Sequence, residues 1–242
     1  MKVNHRVSDL IQAAGKRLGL HITRSENALE LKRQRVLKAL SINVVLDVGA
    51  NVGNYARELR RNGFEAKIIS FEPILEVFGR LRESTADDPQ WSCHNLALGE
   101  EEAQTAINVS HNFVSSSLLE VTGVSTSAQQ ATAINRREAI RVTRLDSLRS
   151  TILAPSDRVY MKVDVQGFEK QVLAGAVETM AQIEAVEIEL SLVDLYTNQT
   201  LMPEMLSNLT DLDFRPVWFE RGFKDPKTGY LLQMDGIFIK KS

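Results

Sequence analysis

The sequence predicts an α/β fold in which a mostly parallel seven-stranded sheet carries helices on both faces and ends in an antiparallel hairpin. Short apolar, β-branched runs alternate with stretches of helical periodicity, the pattern of parallel strands joined by helices. Turn residues at 222–229 separate the last two predicted strands as a hairpin. With 242 residues, 43% of them hydrophobic, the chain is long enough for one such domain with a full core.

Composition and charge exclude several classes of protein. The single cysteine, Cys93, excludes an internal disulfide and a cysteine-built metal site. A formal net charge of −2 gives no general attraction to nucleic acid. No run approaches the ~20 apolar residues of a membrane-spanning helix. The N-terminus lacks the apolar core of a signal peptide, so we expect a cytoplasmic protein.

The first 40 residues differ in charge from the predicted domain at 41–242. They contain nine Lys and Arg against three Asp and Glu, a net charge of about +6. Two helices are predicted in this segment, and the second runs from Ser25 to about Leu40, with Ser25 as its N-cap. A helical pair packed on the domain explains this segment, and a basic face that touches the inner side of an anionic membrane or a lipid-linked substrate is the alternative. The first helix is predicted from apolar residues at helical spacing, namely Val7, Leu10, Ile11, Ala14 and Leu18.

Residues 44–53 are typical of a buried strand, a glycine turn and the start of a helix. Gly49 and Gly53 allow a tight turn and a close approach of the backbone to a ligand. The spacing Asp-x-Gly-x-x-x-Gly differs from the Gly-x-Gly-x-x-Gly of dinucleotide binders. It favours a cofactor whose carboxylate meets the loop, and S-adenosylmethionine is the leading candidate. Asn51 in the loop is a predicted cofactor contact, and Asp47 is expected to order the loop amides or to meet the methionine ammonium.

Two later sites fit a nucleoside. Glu72 ends the second predicted strand, 19 residues beyond Gly53, where a carboxylate can accept both ribose hydroxyls. Asn95 and Leu96 follow the third strand, where Leu96 could form an apolar wall against adenine and Asn95 could bind its edge. The alternatives are a solvated strand-end glutamate, a turn asparagine and a buried leucine.

Three residues are candidates for the general base of a transfer to a hydroxyl group. Asp164 follows the strand at 158–163, and it could also hold the methionine ammonium or pair with Lys162. Glu189 ends the fifth strand at the same edge of the sheet. His111 lies in an insertion and has a pKa range suited to proton transfer. Mg²⁺ held by Asp164 and Glu189 is a further alternative, ranked below a metal-free mechanism.

The insertion at about 104–140 is expected to lie on the substrate side of the domain. Residues 105–109 and 141–143 alternate like strands, whereas 125–132 are small, polar and predicted to be mobile. Such an insertion on a rigid scaffold usually carries substrate specificity. The hairpin loop at 221–229 is a second place for determinants of the acceptor.

Several of these segments together resemble the FkbM-type methyltransferases. The resemblance implies a Rossmann-like class I methyltransferase that uses S-adenosylmethionine for O-methylation, commonly of sugars, glycolipids or polyketides. It covers residues from about 42 to 240. Gln166 departs from the pattern, because the family often has Glu there, so any role of that glutamate in helping a metal or a base does not carry over. The matching stretches are 45–53, Phe-Glu-Pro at 71–73, Leu-Asp at 145–146, 162–169, 187–190 and 233–238.

Other functions remain open from the sequence. A Rossmann-type NAD-dependent oxidoreductase fits the first strands and Glu72, but not the glycine spacing or the closing hairpin. A nucleic-acid methyltransferase would need a sequence for a flipped base and a broad basic face, and neither is found. A cofactor-binding domain without catalysis is the third alternative. The expected partner is a small-molecule or glycolipid acceptor, and the sequence does not predict an oligomeric state.

Overall fold

The computed structural model describes residues 29–241, which contain a seven-stranded sheet and a second, three-stranded sheet. The strands are β1 Val44–Val48, β2 Lys67–Phe71, β3 Trp91–His94, β4 Ala97–Leu98, β5 Ala103–Ser110, β6 Ile134–Thr143, β7 Val159–Val163, β8 Ile183–Ser191, β9 Phe214–Arg221 and β10 Gln233–Lys240. The large sheet has the order β3-β2-β1-β7-β8-β10-β9. All of its strands run in one direction except β10, which is antiparallel to both neighbours. The predicted fold class is confirmed.

Helices cover both faces of the large sheet because side chains alternate along its buried strands. In β1, Val44, Leu46 and Val48 face the core that α5, α6 and α7 cover. Val45 faces the core under α1, α2 and α3. The helices are α1 Leu29–Ala39, α2 Asn54–Arg61, α3 Leu75–Thr85, α4 Gly123–Ala128, α5 Leu145–Ile152, α6 Glu169–Ala174 and α7 Met202–Asp211, with 3-10 turns at Gln130–Thr132 and Thr179–Ala181.

The insertion is folded more fully than predicted. β5 and β6 pair as antiparallel strands, and β4 joins β6 to complete the second sheet. The apolar side chains of this second sheet pack on Ile74 and Val77 at the start of α3. Residues 125–132, which are predicted to be mobile, contain most of α4 and a 3-10 turn. Ser125 and Thr132 are buried there, which composition alone does not reveal.

After His94 at the end of β3, the chain crosses to the second sheet. One predicted boundary also changes, because the sequence predicts a helix from Phe168 to about Ala181, whereas α6 ends at Ala174. There Gly175 packs against Gly99, and a Cβ on Gly175 would lie 1.8 Å from the Gly99 carbonyl oxygen. Ser25 and the predicted helix at 7–18 lie outside the described residues.

Helix α1 is fixed to the sheet by a buried ion pair. Arg33 donates through Nε and Nη2 to the two carboxylate oxygens of Glu187, each at 2.6 Å. The hydroxyls of Tyr55 and Tyr160 donate to the same carboxylate at 2.8 and 2.7 Å. Arg33 also pairs with Glu58 of α2. This part of the predicted 1–40 segment therefore packs directly on the sheet of the predicted 41–242 domain.

A row of polar side chains crosses the sheet beneath α1 and α2. Ser70, Asp47, Lys162 and Glu187 stand opposite one another in register on β2, β1, β7 and β8. Most neighbours of this row on the same face are apolar. Within residues 29–241, no helix combines the length and the apolar character needed to span a bilayer.

Candidate active site

The loop after β1 joins the carboxyl ends of three strands. Gly49 and Gly53 have φ values of 82° and 84°, the left-handed region that favours glycine. A Cβ on Gly49 would lie 1.9 Å from the carbonyl oxygen of Asp164, so β1 and β7 approach too closely there for a larger residue. The amides of Gly49 and Ala50 donate to the carbonyl of Phe71 at the end of β2. The predicted glycine turn is confirmed.

Glu72 holds this loop from the neighbouring strand. Its Oε2 accepts the amide of Asn51 and its Oε1 accepts the amide of Ile74, both at 2.9 Å. Burial raises the pKa of Glu72 to about 7, against the opposing effect of the two amides. Each carboxylate oxygen has a second lone pair, so Glu72 can still accept a hydrogen bond from a hydroxyl group. Glu72 lines a cavity, as does Asn51.

This cavity, which we call the cofactor cavity, fits the nucleoside predicted from the sequence. It has an empty volume of about 670 Å³, counted to its open mouth. Apolar side chains can enclose a flat ring, and Glu72 adds a carboxylate to the lining. Part of the insertion, Phe113 to Leu118, closes one side of it. The apolar lining includes Phe71, Leu96, Leu98, Ile107 and Phe168.

Asp47 and Asn95 lie outside the cavity lining. Asp47 is fully buried in β1, accepts from Ser70 Oγ at 3.2 Å and lies 4.0 Å from Lys162 Nζ. The loop amides donate to Phe71 and Glu72 instead, so the expectation that Asp47 orders them is wrong. Asn95 is exposed, and its amide donates to the carbonyls of Glu72 and Pro73 at 2.9 Å. It thus supports the carbonyl side of the Glu72 turn.

Asp164 lines the cofactor cavity at the end of β7. Its Oδ2 accepts from Lys162 Nζ at 3.1 Å, the ion pair considered from the sequence. Its Oδ1 accepts from Gln166 Nε2 at 2.7 Å. Both carboxylate oxygens of Asp164 are therefore engaged by side chains of the same short segment.

Glu189 lies beside Asp164, as expected from strands that end at one edge. Its Oε2 accepts from Gln166 Nε2 at 2.9 Å and from Gln233 Nε2 at 2.6 Å. Burial raises the pKa of Glu189 well above its usual range, and the nearby carboxylate of Asp164 adds to this effect. Gln233 begins one of the stretches that match the family, but its contact with Glu189 could not be predicted, because that contact depends on the antiparallel pairing of β10 with β8.

A second cavity, the polar chamber, adjoins the cofactor cavity. Gln166 and Val114 line both. Glu189 contributes the single carboxylate of the chamber, and no Lys or Arg of the described residues lines it. Tyr196 and Phe223 add aromatic surface. The amides and hydroxyls of the lining belong to Asn112, Ser115, Ser125, Gln129, Thr132 and Gln233.

His111 is not brought to the site. It follows β5, is exposed, and lines neither the cofactor cavity nor the polar chamber. The third base candidate thus lies outside both cavities, although its neighbour Asn112 lines the polar chamber. Across residues 29–241, no group of three or more His, Cys, Asp or Glu is arranged to hold a metal ion.

Comparisons with known proteins agree with this arrangement. Residues 47–216 match the family described as the methyltransferase FkbM domain. The 2-O-methyltransferase NoeI of Sinorhizobium fredii is 25% identical over 200 residues, which cover 79% of this chain and 82% of that protein.

Solved structures of methyltransferases are also similar to this chain, at low sequence identity. An rRNA methylase from Streptococcus thermophilus has a TM-score of 0.47 and 10% identity, over 91% of this chain and 99% of its own. The 1,6-didemethyltoxoflavin-N1-methyltransferase of Burkholderia thailandensis, with bound S-adenosylhomocysteine, has a TM-score of 0.48 and 12% identity, over 100% of this chain and 92% of its own. The family match extends over most of the chain, from the glycine loop to β9. The chain therefore belongs to the FkbM family of methyltransferases, with S-adenosylmethionine as its cofactor.

Proposed function

We propose that the protein transfers a methyl group from S-adenosylmethionine to a hydroxyl of a sugar, a glycolipid, a polysaccharide precursor or a related natural product. The observation that carries this proposal is the polar chamber, which joins the cofactor cavity at Gln166 and contains the carboxylate of Glu189. A relative named as a 2-O-methyltransferase supports oxygen as the atom that is methylated.

The cofactor cavity supplies groups for the ribose and the adenine of the cofactor. Glu72 would accept the ribose hydroxyls, and the apolar wall at Phe71 and Leu96 would enclose the adenine. Gly49 and Asn51 bring the backbone of the glycine loop close to the ligand, and Asp164 lines the same cavity beside Gln166, which also lines the polar chamber. When bound, S-adenosylmethionine supplies a methyl group activated by its sulfonium. The protein's contribution is to align the acceptor hydroxyl with that methyl group and to remove the hydroxyl proton.

The lining of the polar chamber favours a neutral acceptor with several hydroxyl groups. Amides such as Gln129 and Asn112 can both donate and accept, as a sugar ring requires. The aromatic ring of Phe223 offers an apolar surface for the face of such a ring. The absence of Lys and Arg from the described lining argues against a phosphate or carboxylate at this position.

Two measurements test the proposal. Titration calorimetry should show binding of S-adenosylhomocysteine and not of NADH, whereas binding of NADH alone would contradict the assignment of the cavity. Methyl transfer from radiolabelled S-adenosylmethionine should then be followed by mass spectrometry across neutral glycans, glycolipids and polyketides. A methylated hydroxyl supports the proposal. Cofactor binding with no methylated acceptor supports the alternative of a domain without catalysis, and a methylated nitrogen or carbon contradicts O-methylation.

The matched control for acceptor binding is a pair of amide substitutions. Gln129→Leu removes a polar group from the lining of the chamber, whereas Gln104→Leu makes the same change at an exposed position of β5. We expect a higher KM for the acceptor only in Gln129→Leu, with S-adenosylhomocysteine binding unchanged in both. An equal effect of the two substitutions would place the acceptor elsewhere.

We also propose that the protein acts in the cytoplasm and that its basic first 40 residues can contact an anionic membrane at its inner face. The net charge of this segment, about +6, is the observation in favour. Sedimentation with phosphatidylglycerol vesicles should recover the full chain at low salt, and deletion of the first ~20 residues, the length of such a helix, should abolish recovery. Equal recovery of both forms would refute the contact.

A further inference from the structure

Gln166 is held in an unusual conformation between two carboxylates. Its φ of 57° lies in the left-handed region, and its carbonyl accepts a hydrogen bond from Ser117 Oγ at 2.6 Å. Its side-chain Oε1 accepts from the hydroxyl of Tyr196 at 2.8 Å. Its Nε2 then faces away from Tyr196 and donates to Asp164 at 2.7 Å and to Glu189 at 2.9 Å.

Chemistry fixes this orientation of the amide. A reversed amide would place its carbonyl oxygen against the carboxylates of Asp164 and Glu189. When these are ionised, neither has a proton to donate to that oxygen. In the observed orientation, each of the two Nε2 protons has a carboxylate acceptor, and the oxygen has the Tyr196 hydroxyl. Gln166 therefore links Asp164 and Glu189 as only a double donor can.

Glu189 is fixed from a second side by Gln233. Both amides donate to the same oxygen, Oε2, while Oε1 has no hydrogen-bond partner among the described residues. Since Glu189 lines the polar chamber, Oε1 is the oxygen that remains available to a hydroxyl in the chamber. Asp164 differs, because both of its oxygens already accept, one from Gln166 and one from Lys162.

We propose that Gln166 and Gln233 form an amide clamp that positions Glu189 as the proton acceptor of the methyl transfer. In this step the hydroxyl oxygen gains the methyl group, the electron pair of the broken C–S bond stays on sulfur, and the hydroxyl proton passes to Oε1 of Glu189. The inference rests on the proposed function. Glu189 is the catalytic residue, and the two glutamines are positioning residues, which act through it.

The first test reads the clamp without any acceptor. The full chain, saturated with S-adenosylhomocysteine and labelled with ¹³C at the glutamate carboxyls, is titrated by NMR, with Glu189→Gln identifying the resonance. Gln166→Glu keeps the shape of the side chain but replaces a donor with a third carboxylate. We expect the proton affinity of Glu189 to rise about tenfold or more, as for carboxylates that share a site. The control Gln90→Glu, exposed at the amino end of β3, should leave it unchanged. An unchanged titration in Gln166→Glu overturns the clamp.

The second test measures how the positioning of Glu189 affects kcat. It uses an acceptor identified by the methyl-transfer screen under the proposed function. Gln166→Glu should lower kcat about tenfold or more at pH 7, because a tenfold higher proton affinity leaves correspondingly less Glu189 ionised, with the KM for S-adenosylmethionine little changed. Part of this loss should be recovered at higher pH, which a merely structural defect would not show. A loss of kcat that is equal at every pH overturns the role of Glu189 as base. Methylation with an unshifted titration refutes the clamp alone, whereas a shifted titration with no methylated acceptor refutes the proposed function alone.

Discussion

Replacement of Arg33 by methionine should destabilise the protein strongly, because it leaves the charge of Glu187 buried without its partner. The side chains of Arg33 and Glu187 are only 5% and 4% exposed. Removal of one partner from a buried ion pair costs about 3–5 kcal/mol. For a domain of this size, each kcal/mol shifts Tm by about 2–4 °C, so we expect a decrease of about 6–20 °C.

Differential scanning calorimetry and urea unfolding measure this loss, with Arg35→Met as the control. Arg35 lies on the same helix but is exposed, so its substitution should change Tm very little. The double substitution Arg33→Met with Glu187→Met should recover part of the stability, because Glu187 then no longer leaves an unpaired buried charge. The reasoning is refuted if Arg33→Met and Arg35→Met have the same Tm. It is also refuted if the double variant is less stable than Arg33→Met.

Further predictions concern the cofactor cavity and its surroundings. Glu72→Gln should weaken binding of S-adenosylhomocysteine about 10-fold to 100-fold in calorimetry, the scale of a lost hydrogen bond to a charged group. Gly49→Ala should abolish that binding or the fold because its Cβ would meet a backbone oxygen at 1.9 Å, whereas Gly63→Ala, at φ 85° with nothing within 4 Å, should lower stability only by about 1 kcal/mol. Burial, with Asp164 nearby, raises the pKa of Asp235 to about 7, so the folded state binds this proton more tightly than the unfolded state. Stability should therefore fall as pH rises from about 4 to 7, and Asp235→Asn should flatten that slope in Tm measurements. Methyl transfer should survive EDTA, and loss of activity that Mg²⁺ restores would contradict the metal-free mechanism.

The fold and the cofactor loop could be predicted because their signals are local. Runs such as 44–48 specify a buried strand by composition, and the spacing of Gly49 and Gly53 specifies the turn that follows. Glu72 could be recognised for the same reason, since strand, turn, helix and strand occur in a fixed order along the chain.

The remaining features depend on which strands become neighbours. Nothing near Arg33 in sequence indicates that it is buried, because its partner Glu187 lies 154 residues away. The same holds for Gln233, which meets Glu189 only because β10 inserts between β8 and β9. The position of Asp47 next to the loop predicts contacts with the loop amides. Its side chain instead lies on one face of the sheet, where it accepts a hydrogen bond from Ser70 of β2.

The polar row across the sheet has a consequence for how the chain finds its fold. Parallel strands can slip by two residues without exchanging their faces, so apolar side chains alone discriminate weakly between registers. In the native register Lys162 stands between Asp47 and Glu187. A two-residue slip of β7 against β1 would place Lys162 opposite Val45 or Gly49 and separate the buried carboxylate of Asp47 from its cation. The row therefore destabilises sheets whose strands pair in the wrong register. Substitution of Lys162 and Asp47 by apolar residues would make these wrong registers less unfavourable during folding.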